Sequence, residues 1–535
     1  MSASMSARAR GKAPAKTEAH GAAQPRPRRW LRELHLHGLD HLDAVLLAAL
    51  ASEAPLLLIG PHGSAKSALL ERVAHALALE HRHYNASLVA FDDLLGFPVP
   101  NAARDGLDYL RTPATLWGAQ SVFLDEISRC RPDVQNKLFS IVHERRVSGV
   151  ALDALRFRWA AMNPPAAFDA DGELDDAYVG AQPLDAALAD RFVFVVSLPA
   201  FGELAPEDRR AVIARGDAVP REEPGVARLV DAARAHAAIA EAADDAWAVE
   251  YCAAAADVLA HAKIALSGRR AAMLRRALHA VHGARAALAA GVDPGPDCEG
   301  RGGASGVAAL RSAPAGTAPP ICAPALEDSA LLALRWCLPQ RALGRAPAES
   351  TLLAAHRKAL ELAGAPADSP GRRIAAEPDP LGRVAIALSL PSGSLTKTAF
   401  SALVADAFAA QDVPGRYLLA RRLLAPLAER DAVNAPTLEM LAEPMGRLLD
   451  FEHEPSHRVD LSRAGVARYN VLLAQIARLD AKVPAQASLA NLLYTLFAVE
   501  KAAFDPAEVV ARDARFARVL DGAVAGAARR HEVSA

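Results

Sequence analysis

The chain has 535 residues, too many for one ordinary core and enough for two or three domains. Its 60 Lys and Arg nearly balance 62 Asp and Glu, which excludes a chain-wide electrostatic attraction to nucleic acid, and no run of about eighteen apolar residues escapes interruption by charge, which argues against a hydrophobic membrane span. Five scattered cysteines (Cys130, Cys252, Cys298, Cys322, Cys337) form no C-x-x-C pair, so they fit reduced thiols in a cytoplasmic protein and offer neither a zinc site nor a disulfide framework.

In chain order, residues 1–30 read as a disordered basic tail (Arg8, Arg10, Lys12, Lys16, Arg26, Arg28, Arg29) without the apolar core of a secretory signal. Over 31–202 short β runs alternate with helical segments: "APLLLIG", a helix from about Ala65 to Leu79, "HYNASL", "SVFLDEI", a helix near Val134 to Glu144, "FRWAAMN" and "RFVFVVSL". This alternation predicts an α/β domain, a parallel sheet with helices on both faces. Residues 203–345 become helical, broken at 291–324 by a Gly-, Pro- and Ala-rich stretch that reads as a flexible insertion. The polar, Pro-containing stretch 346–382 reads as a linker, and 383–535 as a mainly α-helical region of unknown role. Stripes such as "RYLLARRLLAPLAER" there imply a bundle core with a solvated basic face.

The chemistry concentrates in the α/β part. The first strand runs into Gly60, Pro61, His62, Gly63, Ser64, Ala65, Lys66 and Ser67, and then a helix. In such a loop backbone N–H groups wrap phosphates at a helix N-terminus, the lysine reaches the β and γ phosphates, and the serine hydroxyl reaches Mg²⁺. Ala65 stands where the standard pattern has glycine; it is tolerated if its backbone is near helical and costs about 1 kcal/mol if φ is positive. His62 reads as a spectator whose backbone matters more than its ring. "SVFLDEI" places Asp125 and Glu126 at the carboxyl end of a strand, where parallel sheets open their ligand crevice, with Asp125 toward the metal and Glu126 toward an attacking water. Asn163 ends the next strand, where its amide can orient that water. Asp190 and Arg191 introduce the last strand; an arginine at a domain edge completes a charge cage only when a neighbouring subunit presents it.

Other motifs carry less. "HEPSH", His453 to His457, spells a zinc-protease string, but Pro455 removes a backbone donor and forces Glu454 out of helical geometry. The histidines of "HLHGLD" and "EHRHY" have no carboxylate or cysteine companions at ligand spacing and read as surface or packing residues.

Leu34 to about Arg345 resembles an AAA+ ATPase of the MoxR branch, most similar in layout to RavA-like members. The residues that carry the resemblance are "GPHGSAKS", "DLLG" (Asp93 to Gly96), "FLDEISRCRPDVQNKLFSIVHERRV", "AMNPP", "LDAALADRF" and "LSGRRAAMLRRAL". It implies a P-loop α/β domain followed by an α-helical lid, with Lys66 and Ser67 as Walker A, Asp125 and Glu126 as Walker B, Asn163 as sensor 1, Arg191 as arginine finger and Arg269, or less readily Arg270, as sensor 2. It also implies Mg²⁺ and ATP, a homo-oligomeric hexameric ring with ATP at subunit boundaries, a partner with a von Willebrand factor A (VWA) domain, and protein clients that are remodelled, assembled or loaded with metal. The stretch between Asn163 and Arg191 is longer than the family's and acidic (Asp169, Asp171, Glu173, Asp175, Asp176), so Arg145 or Arg146 is an alternative finger. A magnesium-chelatase-like subunit and a nucleotide-gated scaffold without turnover are the rival readings. An enhancer-binding transcriptional activator lacks its required loop sequence here.

Overall fold

The computed structural model describes residues 28–521 except 104, 106, 148–149, 166–181, 216–224, 291–324, 367, 392, 454–462, 480–481 and 499–503. The expected flexible insertion, the acidic stretch, most of the basic tail and the residues after His453 in "HEPSH" lie outside the described residues. The chain divides into two compact units, one comprising Met1–Ala243 and Arg276–Ala346, the other Asp244–Arg275 and Pro347–Ala535.

The strands of the first unit, in order, are β1 (Leu56–Ile59), β2 (His81–Asn85), β3 (Phe97–Pro100), β4 (Leu107–Leu110), β5 (Ser121–Asp125), β6 (Arg146–Val147), β7 (Val150–Ala151), β8 (Phe157–Met162) and β9 (Phe194–Ser197). Five of them form one sheet in the order β2-β5-β8-β1-β9, every pairing parallel, while β3–β4 and β6–β7 are separate antiparallel hairpins. All four residues of β1 and all six of β8 are buried, as expected of strands covered by helices on both faces. The helix Asp43–Ala51 is apolar around nearly its whole circumference and lies in the core. A five-stranded parallel α/β sheet is thus the fold that the alternating pattern predicted.

Register aligns the strand tips. Leu57 faces Ala160, Leu124 faces Ala160 from the other side, and Asn85 faces Asp125. Because β1, β8 and β5 are consecutive neighbours, the residues that follow them, Gly60, Asn163 and Glu126, emerge side by side at one edge of the sheet.

At the opposite end of these strands Glu53 sits in a left-handed turn (φ 50°) and collects three arginines: Arg156 at 2.9 Å, Arg145 at 3.4 Å and Arg234 at 3.6 Å. The guanidinium of Arg158, buried on β8, donates to the Glu53 carbonyl at 2.9 Å and to Val142 O at 3.1 Å; burial pushes its pKa down to about 10. Arg145, weighed above as an alternative finger, is therefore held by a carboxylate of its own chain.

Packing begins before residue 31. Trp30, assigned above to the tail, is fully buried and donates its indole N–H to the Asp43 carbonyl at 2.9 Å; the Leu31 amide donates to Asp43 Oδ1 at 3.2 Å. Sequence gave no hint of this because an isolated Trp next to an arginine-rich run shows no periodicity.

In the second unit the stretch expected as a linker, 346–382, carries the helices Glu349–Ala363 and Pro370–Ala376. Leu352, Ala355, Ala359 and Leu362 are buried at helical spacing. Pro370 and Pro380 punctuate the sequence like a linker, but each falls in the first turn of a helix, where the missing N–H costs nothing, behind the capping side chains of Ser369 and Asp379. The helix Val413–Glu429 supplies the core residues Leu418, Leu419, Leu423 and Leu427, all fully buried. Its basic face is only partly solvated: Arg416 is exposed, but Arg422 meets Asp513 at 2.9 Å and Asp521 at 2.7 Å, and Arg421 meets Asp513 at 3.5 Å, so the helix Pro506–Phe516 is fastened by charge as well as by Val509 and Phe516.

Asp43 generates a pH prediction. Burial raises its carboxyl pKa to about 7, partly opposed by the Leu31 amide and then reinforced by Asp40. A folded-state pKa above the unfolded value means that the associated stability is present at low pH and is lost as pH rises through about 7. Asp43→Asn keeps an acceptor for Leu31 and removes the charge. Relative to this variant, wild type should lose stability between about pH 4 and pH 7, by up to about 4 kcal/mol in urea denaturation; a pH-independent difference would contradict the assignment.

Candidate functional site

The site is assembled by three strand tips. Gly60 follows β1 and its amide donates to Met162 O at 3.2 Å, tying the loop to β8. A side chain at Gly60 would bring its Cβ within 2.5 Å of Ser64 Oγ, so only glycine lets the loop close; Gly63 uses φ 76°. Ala65 is left-handed, φ 63° and ψ 23°, directly before the helix Lys66–Ala76. The residue that departs from the standard pattern therefore takes the conformation for which glycine is preferred, and the strained case anticipated above applies.

Lys66 is buried and its ammonium is fully engaged: it donates to Gly60 O at 2.7 Å, Pro61 O at 2.9 Å and Asn163 Oδ1 at 3.1 Å. Burial pushes its pKa below the ordinary lysine value, with Asp125 and Glu126 pulling the other way. Asn163, 1 % exposed, uses its amide nitrogen toward His62 Nε2 at 3.2 Å and donates to Glu126 Oε1 at 3.3 Å. His62, read above as a spectator, thus contributes its ring. Ser67 Oγ donates to Asp125 Oδ2 at 3.3 Å, and the Glu126 amide to Asp125 Oδ1 at 2.9 Å.

Glu126 is not the last residue of β5 but the first beyond it, in a left-handed conformation with φ 53°. That turn, rather than strand alternation, separates the directions of the two acids. Glu126 Oε2 is buried without a hydrogen-bond partner and lies 3.3 Å from Arg129 Nε as an ion pair.

Sequence reasoning missed His83. On β2 it stacks on Phe123 of β5, with ring centroids 4.4 Å apart, and reaches Asp125 Oδ2 at 3.7 Å and Glu71 Oε1 at 3.4 Å. The "EHRHY" histidines therefore do include one with carboxylate companions, supplied across the β2–β5 pairing rather than along the sequence. The Asp125 carboxylate 3.7 Å away holds His83 above the usual histidine value against burial. For Asp125 burial acts upward, and His83, the Glu126 amide and Ser67 outweigh it, leaving the carboxyl below its usual range. Arg129 was missed for the same kind of reason: only the short helical turn Ile127–Arg129 folds it back onto Glu126.

Arg191 and Arg269 are not part of this cluster. The Arg191 guanidinium lies 4.5 Å above the Phe139 ring and donates to the Ala187 carbonyl. Arg269 is exposed at the start of the helix Gly268–Ala289, in the second unit, whereas Arg270 is buried with its amide capped by Ser267 Oγ at 3.0 Å.

Beside Gly63–Ala65 a mainly apolar cleft opens, in which Leu36, Leu39, Phe201 and Leu204 are joined by His35, His37 and Arg72. The donor set suits a magnesium-bound nucleotide: a hydroxyl and an ionised carboxylate adjoin, a buried ammonium faces them, and the Gly60 turn leaves no room for a side chain.

A glycine-cornered loop on a five-stranded parallel sheet, with paired acids on the neighbouring strand tip, defines a P-loop nucleotide-binding fold. Residues 55–192 match the family described as the AAA domain of the dynein-related subfamily. Over 185 residues the chain is 28% identical to Chaperone MoxR1 of Mycobacterium tuberculosis, an alignment that covers 34% of this chain and 45% of that protein, so the chain spans less than half the length of the curated relative it matches. A solved structure of a provisionally assigned ATPase from Cytophaga hutchinsonii aligns over 49% of this chain and 78% of its own at 18% identity with a TM-score of 0.35, too low to bear on the argument. Over residues 55–192 the α/β part is thus similar to an AAA domain, and the chain resembles a MoxR chaperone over part of its length. Among the described residues no helix is long and apolar enough to cross a membrane.

Ala65→Gly should relieve the left-handed alanine and raise stability by up to about 1 kcal/mol, the glycine's extra unfolded-state entropy offsetting part of the gain. A denaturant midpoint lowered by a comparable amount would show that Ala65 is not held at positive φ.

Proposed function

We propose that this protein is a Mg²⁺-dependent ATPase whose hydrolysis cycle drives remodelling, assembly or metal loading of client proteins. The observation that carries the reading is the Lys66 ammonium, buried and bridging its own loop to Asn163, which is 97 positions away in sequence. A cation this desolvated, beside a hydroxyl–carboxylate pair, matches a triphosphate and its metal better than any neutral ligand.

In this reading the amides of Gly63 to Ser67 and the Lys66 ammonium bind the phosphates, Lys66 exchanging its carbonyl partners for phosphate oxygens. Ser67 and Asp125 would hold Mg²⁺, which when bound offsets phosphate charge. Glu126, whose buried Oε2 makes an ion pair with Arg129 but no hydrogen bond, takes the proton of the attacking water. Asn163 touches both Lys66 and Glu126 and so relates the phosphate side to the water side. The cleft beside Gly63 receives the base.

The MoxR resemblance supports a ring, a trans arginine from Arg191, sensor 2 from Arg269 and a VWA-domain partner, and the scattered cysteines fit a cytoplasmic location. A finger supplied in trans contributes on the order of 10³ or more in rate, so a dilute, dissociated protein should hydrolyse ATP slowly and gain specific activity with concentration.

Lys66→Ala should abolish Mg-ATP binding. Glu126→Gln should retain binding while phosphate release falls by roughly 10²-fold or more. Steady-state phosphate release with equilibrium nucleotide binding checks both; equal rates for wild type and Glu126→Gln would favour the scaffold without turnover, and binding that persists in Lys66→Ala would remove the nucleotide reading.

A further inference from the structure

Both oxygens of the Asp125 carboxylate are engaged. Oδ1 accepts from the Glu126 amide at 2.9 Å, and Oδ2 faces two groups, Ser67 Oγ at 3.3 Å and His83 Nε2 at 3.7 Å. The other ring nitrogen of His83, Nδ1, lies 3.4 Å from Glu71 Oε1. Ser67 and Glu71 stand four residues apart on the helix Lys66–Ala76 and so share one of its faces. The contacts close a circuit, from Ser67 to Asp125 to His83 to Glu71 and back along the helix, that joins the phosphate-loop helix to β5 and β2.

The sheet places the imidazole. In the β2–β5 register His83 faces Phe123 and Asn85 faces Asp125, so His83 reaches Asp125 along the diagonal of the strand pair. Phe123, fully buried, gives the ring a flat wall: the two rings stack with centroids 4.4 Å apart and 27° between their planes. β2 is an edge strand of the sheet, paired with β5, and the Glu71 contact ties it to the helix as well.

Ion pairs with partly exposed members add little to stability, and the side chains of His83 and Glu71 are 36% and 54% exposed, so fastening the fold is a poor account of the circuit. Its consequence falls on Asp125, whose carboxylate cannot turn away from Ser67 without giving up contacts at both oxygens.

We propose that His83, oriented by Glu71, is a positioning residue that keeps Asp125 Oδ2 beside Ser67 Oγ and so holds the two oxygens ready for the divalent metal of a bound nucleotide. The inference rests on the nucleotide reading above, which uses Ser67 and Asp125 but gives His83 no role. Partners that orient a metal ligand govern metal affinity even though they never touch the metal.

The test reads the factor by which Mg²⁺ tightens ATP binding to the full chain, from equilibrium affinities measured in saturating Mg²⁺ and in EDTA. His83→Leu should cut that factor by roughly 10-fold, the low end of what losing such a partner costs a metal site, while affinity in EDTA stays within about 2-fold of wild type. His83→Gln, whose amide N–H can still reach Asp125, should recover much of the factor, and Glu71→Gln should lower it by less than His83→Leu. A merely structural role would weaken binding equally with and without Mg²⁺. The proposal is overturned if His83→Leu leaves the factor unchanged or larger, if it loses affinity equally in EDTA, or if Mg²⁺ makes no difference to wild type. Lys66-dependent ATP binding with a factor that ignores His83 would leave the nucleotide reading standing and remove only this inference; no Lys66-dependent binding in either condition would remove both.

Discussion

A lysine ammonium withdrawn from water needs its donors satisfied, and in this protein that need organises the loop around it. Lys66 finds two carbonyls of its own turn and the side-chain oxygen of Asn163. The carbonyls are available because Gly60 permits a turn that any Cβ would block, and Asn163 is within reach because β1 and β8 are neighbours in register. Without the parallel sheet the lysine would have only its local partners, and the loop would have no fixed relation to the acids on β5.

The same economy explains the strain nearby. Ala65 and Glu126 both adopt positive φ, each at a cost of about 1–2 kcal/mol, and both sit where the chain turns from a buried strand toward the crevice. At Glu126 the turn directs the carboxylate toward Asn163 and Arg129, whereas Asp125, still in the strand, faces Ser67 and His83. Adjacent acids with different neighbours can hold different ligand roles, and here the difference originates in one backbone dihedral.

At the far ends of the strands the Glu53 carboxylate performs a comparable service for arginines from three separate segments. Ion pairs with partly exposed members contribute little individually, but a shared carboxylate with a buried Arg158 beside it holds the helix ends in place around the sheet. In the second unit Asp513 plays that part for Arg421 and Arg422.

Alternation of short β-branched and apolar runs with helical segments was enough to establish a parallel α/β domain, because the crossover between parallel strands demands a helix. Local spacing was likewise enough to single out Lys66, Ser67, Asp125, Glu126 and Asn163, since each sits at a strand end marked by composition. The sequence by itself could not show the ring contacts of His62 and His83, the arginine claims on Glu53, or the helices hidden behind Pro370 and Pro380. Those depend on which strands become neighbours and which prolines land in a first turn, and both are settled by burial of apolar area across the whole chain, a quantity that no window of sequence contains. Tertiary structure also decided the backbone of Ala65: a one-residue departure from the glycine pattern is silent about φ until the strand before it and the helix after it are fixed in space.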